Sequence, residues 1–221
     1  MYSLGDRTAK AIIRDAAIEL FGRDGFDTVS LRTIAGHSGV SQPLIIKHYG
    51  SRSGLINATD EHALSVVERL LHTVAIESGG AFNSEATTGS VAQLLAGSTI
   101  GPYLARLLTS NGDRARRAFD RLAEFSCGLI DQLADDEAIA SDIDHRHLAV
   151  VLLVHDISVL VLRDRITEAL GADPLDREGV AAWSRTVQAL YSGEALTSPN
   201  PRPEGTPQAP GCDDLPLLQQ R

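Results

Sequence analysis

Cysteine, tryptophan and lysine are scarce in this 221-residue chain, with two, one and two residues respectively, and aromatic residues make up only 5%. The cysteines, Cys127 and Cys212, lie in different regions, so neither a disulfide framework nor a cysteine metal site is suggested. No GxSxG, GxxxxGK[ST], HExxH or CxxC motif occurs. The chain therefore offers no nucleophile elbow, phosphate loop, zinc helix or redox pair, and it reads as a non-enzyme that calls for no cofactor or metal. His145 and His147 stand one residue apart and point to different faces of a helix, which makes a poor chelate even with Glu61 and His62 considered. Long apolar runs are missing too. The longest, Leu148 to Val154, resumes at Ile157 only after His155 and Asp156, which is short of a membrane span and fits a buried helix. Residues Met1 to Asp6 have no signal-peptide character, and together these features predict a cytoplasmic protein without a membrane partner.

What is present is 43% hydrophobic residues, rich in Leu, Ala, Ile and Val, with little strand patterning. That composition predicts an all-α protein. The net charge of −9 is unevenly divided: residues 1–55 hold seven Lys/Arg against five Asp/Glu, and residues 56–221 hold 13 against 24. Only the N-terminal part is suited to meet phosphate, and both lysines, Lys10 and Lys47, fall inside it.

The stretch Ser30 to Leu55 reads as two short helices held at an angle. Ser30 is placed to cap the first, Leu31, Ile34 and Ala35 give it an apolar stripe, and Gly36 and Gly39 bound its end. Ser41 is placed to cap the second, Pro43 sits in the first turn where its missing N–H is harmless, and Gly50 stops it. Two helices of two turns with a glycine-containing turn between them describe a helix-turn-helix. Gln42, Lys47 and His48 among apolar positions make the second helix half core and half reader. In a major groove, Ser41, Gln42 and Leu44 would meet base edges, and Lys47, His48 and Tyr49 would lie nearer the phosphates.

Ahead of this unit, residues 8–23 form a helix with Ile12, Ala16 and Leu20 beside Ile13, Ala17 and Phe21. Gly25 ends it and Phe26 plugs a three-helix core; Arg7 and Lys10 are placed to reach phosphate. The ordered segments Ala17 to Phe21 with Gly25-Phe26, Ser30 to Ala35, Gly39-Val40-Ser41 with Ile45 and His48-Tyr49, and Ser51-Arg52 with Leu55-Ile56 resemble the DNA-binding domain of TetR-family transcriptional regulators. The resemblance covers about a quarter of the chain by ordered spacing. It departs from the family at Ile46, where a tyrosine is usual, and at Pro43, where Gly, Ala or Ser is usual. It implies that Arg32, Ser41, Gln42, Pro43, Leu44, Lys47, His48, Tyr49 and Arg52 form the DNA-binding set.

Beyond the headpiece, spacing predicts a helix over 53–77, a loop over 78–90, and a helix over 90–109 that kinks or breaks near Gly101-Pro102. A helix over 113–134 follows, with Ala115, Phe119 and Leu122 inward and Arg114, Arg116, Arg117 and Arg121 as a solvated face. Asp142 or Asp144 caps a helix over 145–170, and Asp173 with Pro174 starts the last one, 174–192. Tyr103, Phe119, Phe125, Cys127 and His155 are the candidate ligand contacts. The helix over 145–170 is apolar nearly all round, and the last carries a stripe through Val180, Trp183, Val187, Leu190 and Tyr191. Their apolar surface predicts pairing with a second copy through Val151, Val159, Leu162, Trp183, Val187 and Leu190. Six of the nine prolines lie after residue 198, and 197–221 is expected to be a disordered tail.

The expected organisation is thus a helix-turn-helix domain over 7–52, a ligand-binding and dimerisation domain over 53–196, and the tail. Its expected activity is that of a repressor, binding a palindromic operator in double-stranded DNA as a homodimer and released by a small-molecule effector. The alternatives are an activator, a ligandless regulator, or a helical protein-interaction module that keeps the domain.

Overall fold

A computed structural model describes residues 4–77, 97–135 and 143–192. The described residues form helices α1 (Leu4–Asp24), α2 (Leu31–Ser38), α3 (Gln42–Tyr49), α4 (Arg52–Glu77), α5 (Ile100–Thr109), α6 (Asp113–Asp135), α7 (His145–Val161), α8 (Arg163–Leu170) and α9 (Arg177–Tyr191), with no strand among them. The expected 78–90 loop, the start of the 90–109 helix and the 197–221 tail lie outside the described residues.

One hydrophobic core runs through both halves of the fold. Ile13, Phe21, Ile34, Ile45 and Leu55 from the headpiece are continuous with Tyr103, Leu104, Leu107, Leu122 and Leu153 from the body. A smaller cluster of Ile130, Leu133 and Ala149, with Cys127, Leu148 and Leu152 against it, sits at the other end of α6 and α7. The two halves meet chiefly where α1 crosses α5. At that crossing a Cβ on Gly22 would lie 2.9 Å from the backbone nitrogen of Tyr103, so the two main chains touch with no side chain between them.

Of the kink or break expected near residue 101, the described residues show a break: 97–99 are not helical. The α5 helix begins at Ile100, and Pro102 falls in the first turn, where no intrahelical donor is required.

The arginine face expected on α6 divides in two. Arg116 and Arg117 are exposed, whereas Arg114 and Arg121 reach across to α4. Arg114 donates from Nε and Nη2 to the two Asp60 oxygens at 2.9 and 2.8 Å. Arg121 grips Glu68 at 2.6 and 2.8 Å and also reaches Glu61. Neither contact has a local sequence signal, because the partners lie more than 50 residues away.

The helix expected over 145–170 is bent by 72° at Leu162. Asp144 caps its start, accepting from the His147 N–H at 2.8 Å. No glycine or proline marks the break. Accompanying it is a two-oxygen pair from Arg163 to Asp173, with Nη2 to Oδ2 at 2.6 Å, and Arg163 holds the Asp173 carboxyl below the ordinary range. Asp173 also accepts from the Leu175 N–H at 3.0 Å, but α9 starts at Arg177 rather than at 174, and its cap is Asp176, which accepts from the Gly179 N–H at 2.7 Å. Among the described residues no single helix is long and apolar enough to cross a membrane.

Candidate nucleic-acid interface

The α2 helix is fixed at both ends by its own sequence. Ser30 Oγ accepts from the Thr33 N–H at 3.1 Å. At the other end Gly39 adopts φ 69°, a left-handed conformation that glycine takes without a Cβ penalty, and the Val40 N–H reaches back to the Ala35 carbonyl at 3.1 Å. His37 Nε2 lies 3.1 Å from Glu19 Oε2 and ties α2 to α1.

The α3 helix begins with Ser41 at the N-cap position, but the Ser41 hydroxyl makes no cap bond, contrary to expectation. The Leu44 N–H bonds the Ser41 carbonyl at 3.0 Å, and Pro43 starts the helix from within its first turn. Ile45 is fully buried and pins the inner face. Because residues four apart share a face, the outward surface is built from the pairs Gln42/Ile46 and Pro43/Lys47, all four exposed. Leu44, His48 and Tyr49 are half-buried. Leu44 was expected to meet base edges, and the structure turns it partly inward. Ile46, absent from the expected set, is 40% exposed in the middle of the outward face. Its signal in the sequence was the departure from the usual tyrosine.

Two residues expected near phosphate are held elsewhere. Tyr49 donates its hydroxyl to the Lys10 carbonyl at 2.6 Å, and burial pushes its phenol up to about 12. The Lys10 ammonium stands 5.6 Å from the Tyr49 ring centre, so the end of α3 is moored to α1. Arg52 donates to the Val29 carbonyl at 3.1 and 3.2 Å and to the Phe26 carbonyl, with its guanidinium 5.7 Å from the Phe21 ring centre. Arg52 therefore braces the loop between α1 and α2. Arg32 and Ser41 are exposed. The Arg7 side chain lies outside the described residues.

The α4 helix leaves α3 at very close range. Gly54 accepts no Cβ, because one would stand 2.0 Å from the Tyr49 carbonyl oxygen, and its N–H bonds Ser51 Oγ at 3.0 Å. Six residues on, α4 meets the body. Asp60 holds Arg114 on one side and accepts from the Tyr103 hydroxyl at 2.6 Å on the other. Thr59 Oγ1, 2.7 Å from the Tyr103 oxygen, completes the group. Burial, reinforced by Asp60, raises the Tyr103 pKa. For Arg114 burial acts the other way, but the Asp60 hydrogen bonds and charge outweigh it and raise the pKa. Phe26 lies edge-on to Tyr103, with ring centres 5.4 Å apart, and the Arg114 guanidinium stacks 4.1 Å from its centre. Phe26, expected to plug the headpiece alone, joins headpiece to body.

The five candidate ligand contacts do not share one cluster. Tyr103 is fully buried in the group just described. Phe119 packs against the main core, Cys127 against the smaller cluster, and Phe125 is half-buried on α6. His155 faces the Trp183 ring at 6.4 Å, and Asp156, 3.3 Å from its Nδ1, raises its pKa by hydrogen bonding. A cleft of about 540 Å³ lies instead where α5 meets α8, lined by residues including Pro102, Ala105, Arg106, Leu160, Arg163 and Thr167. Among the described residues no group of three or more His, Cys, Asp or Glu is placed to hold a metal.

Of the candidate pairing residues, Val151 is 58% exposed and Leu190 52%, and Leu162 is also exposed, with Val154 beside them. Trp183 and Val187 are half-buried. Val159, at 5% exposure, is covered within its own subunit and is removed from the set. The Trp183 Nε1 is shielded from solvent without an acceptor among the described residues.

Comparison with known proteins agrees with this geometry. Residues 13–59 match the model of bacterial regulatory proteins of the tetR family. RaaS, an HTH-type transcriptional regulatory protein of Mycobacterium tuberculosis, is 37% identical over 130 residues, 58% of this chain and 58% of that protein. An HTH-type transcriptional repressor of the same organism is 35% identical over 71 residues, covering 32% of this chain and 38% of that one. The aligned part of the chain thus spans less than two thirds of these relatives' length. Among solved structures, the transcriptional regulator FadR from Bacillus subtilis in complex with stearoyl-CoA shares the fold at TM-score 0.61 and 16% identity, over 81% of this chain and 96% of that one. Residues 13–59 thus form a helix-turn-helix domain similar to that of bacterial regulatory proteins of the tetR family.

Proposed function

We propose that this chain is a transcriptional repressor that binds a palindromic operator as a homodimer and is released by a small apolar or amphipathic effector. The observation that carries the reading is the outward face of α3, where Gln42, Pro43, Ile46 and Lys47 are exposed on a helix pinned from behind by Ile45. Residues 7–52 are the DNA-binding domain and 53–196 the effector and pairing domain in this reading. Gln42 reads a base edge, and Lys47 and Arg32 serve the phosphates. The two copies of α3 lie about 34–36 Å apart, one helical turn of DNA.

Pairing uses the exposed faces of α7 and α9 around Val151, Leu162 and Leu190, as in other four-helix interfaces. Val151→Arg places a charge in that face and is expected to give a monomer by light scattering, with the helical signal unchanged. A dimer of wild-type affinity would place the interface elsewhere.

Effector uptake in the body shifts α4, which carries the exit from α3 at its start and Asp60 about two turns further on. A tenfold loss of operator occupancy requires a differential affinity of only about 1.4 kcal/mol between the two states.

The test is an electrophoretic shift at low ionic strength with the DNA upstream of the chain's own gene, repeated across a salt series. Lys47→Ala is expected to weaken binding to all duplexes and to flatten the salt dependence by about one unit per subunit, because each lysine would release about one counterion. Arg52→Ala is expected to lower thermal stability instead, since its guanidinium braces the Val29 and Phe26 carbonyls. A Lys47→Ala slope equal to wild type would remove Lys47 from the phosphates.

A further inference from the structure

We infer that Ile46 is a sequence-reading residue, and that it reads the C5-methyl group of a thymine in each half-site. The inference rests on the DNA-binding reading above and adds to it a specific contact. Ile46 is a branched aliphatic side chain 40% exposed on a helix of eight residues. The buried face of α3 already has its anchor in Ile45, so Ile46 has no share in the core. On the outward face it stands one turn after Gln42 and next to Lys47, the amide and the cation that flank it there.

The three groups suit three different targets. A glutamine amide matches the paired acceptor and donor of adenine in the major groove, an ammonium matches phosphate, and an aliphatic tip matches the one apolar feature on the groove floor, the thymine methyl. An isoleucine has no hydrogen-bonding atom to give a phosphate or any other base edge. Left in water it gains nothing, and against a methyl it removes apolar area on both partners from solvent. The hydroxyls within five residues do not compete for this role: Ser41 and Ser51 lie outside the helix, and the Tyr49 hydroxyl is bonded to the Lys10 carbonyl.

The experiment uses the full chain and a duplex enriched by it from a random-sequence pool at low ionic strength. Each thymine of the enriched sequence is then replaced singly by uracil, which removes the methyl and leaves every hydrogen-bonding group in place. Wild type is expected to lose about fourfold in affinity at one thymine per half-site, and about the square of that when both half-sites are changed. Ile46→Ala, at an exposed position, is expected to bind the thymine and uracil duplexes equally at that site while keeping the wild-type salt slope. Wild-type affinity that ignores every thymine-to-uracil change would overturn the inference, as would an uracil penalty that persists undiminished in Ile46→Ala. A chain that enriches no duplex and shifts none would overturn the DNA-binding reading itself, and the two failures are told apart by that first step.

Discussion

Asp60→Ala is expected to lower the thermal midpoint by roughly 5–12 °C, the equivalent of about 2–4 kcal/mol for a chain of this size. The substitution strips three hydrogen bonds at once, two from Arg114 and one from Tyr103. It leaves a guanidinium and a phenol facing each other in a largely closed space, and an unpaired partner costs more than the pair contributes. The figure stays below the upper range for fully buried pairs because Arg114 and Asp60 keep some access to water, which screens the lost charge interaction. Asp60→Asn retains an acceptor for Tyr103 and should fall between the two. Tyr103→Phe removes one donor and should lower stability by only about 1 kcal/mol. Calorimetry on the four proteins gives the order. An Asp60→Ala midpoint within a degree or two of wild type would show that this group does not bind the two halves together.

Gly54→Ala is expected to be as damaging, through sterics rather than charge. The added methyl would arrive 2.0 Å from the Tyr49 carbonyl oxygen, which is backbone and cannot rotate away. Either α3 tilts or α4 unwinds its first turn. Overpacking in a closed site costs about 1–3 kcal/mol, and contact with main chain favours the upper end. Because α3 carries the outward face, operator affinity is expected to fall at least a hundredfold even where the fold survives. Gly36→Ala is the matched control: no atom lies within 4 Å of its Cβ, and the change should stabilise α2 by about 0.5–1 kcal/mol. Equal melting and equal duplex affinity for Gly54→Ala and wild type would refute the close approach.

The headpiece was largely legible in the sequence because its determinants are local. Ser30, Gly39, Pro43 and Gly50 act on neighbours within four residues, so their spacing alone placed α2 and α3 within a residue of the observed ends. The apolar period of the first helix was legible for the same reason, apart from Ile12, which is 45% exposed, as was Asp144 as one of two candidate caps. What was not legible depended on partners distant in the chain. Arg52 and Tyr49 look like phosphate ligands until Val29 and Lys10 are seen to take their polar ends. Arg114 and Arg121 look like a solvated face until α4 brings up its carboxylates. The 72° bend at Leu162 has no breaker residue, and the pairing of Asp173 with Arg163, ten residues back, has no local signal. The surroundings of the ligand candidates were not legible either, because an apolar side chain on an amphipathic helix is equally suited to core, and composition does not distinguish a lined cavity from a filled one.

The absence of a side chain at Gly22 has a mechanical consequence. Where two helices are separated by leucines or valines, rotamers yield and a small displacement of one is absorbed before it reaches the other. At the crossing of α1 and α5 there is no such cushion, and Arg106 clamps it further by donating to the Gly22 and Arg23 carbonyls at 3.0 and 2.9 Å. Strain imposed on α5 is therefore delivered to α1 nearly undiminished, as by a rigid gear rather than a spring, and inserting even one methyl there should introduce slack into the linkage.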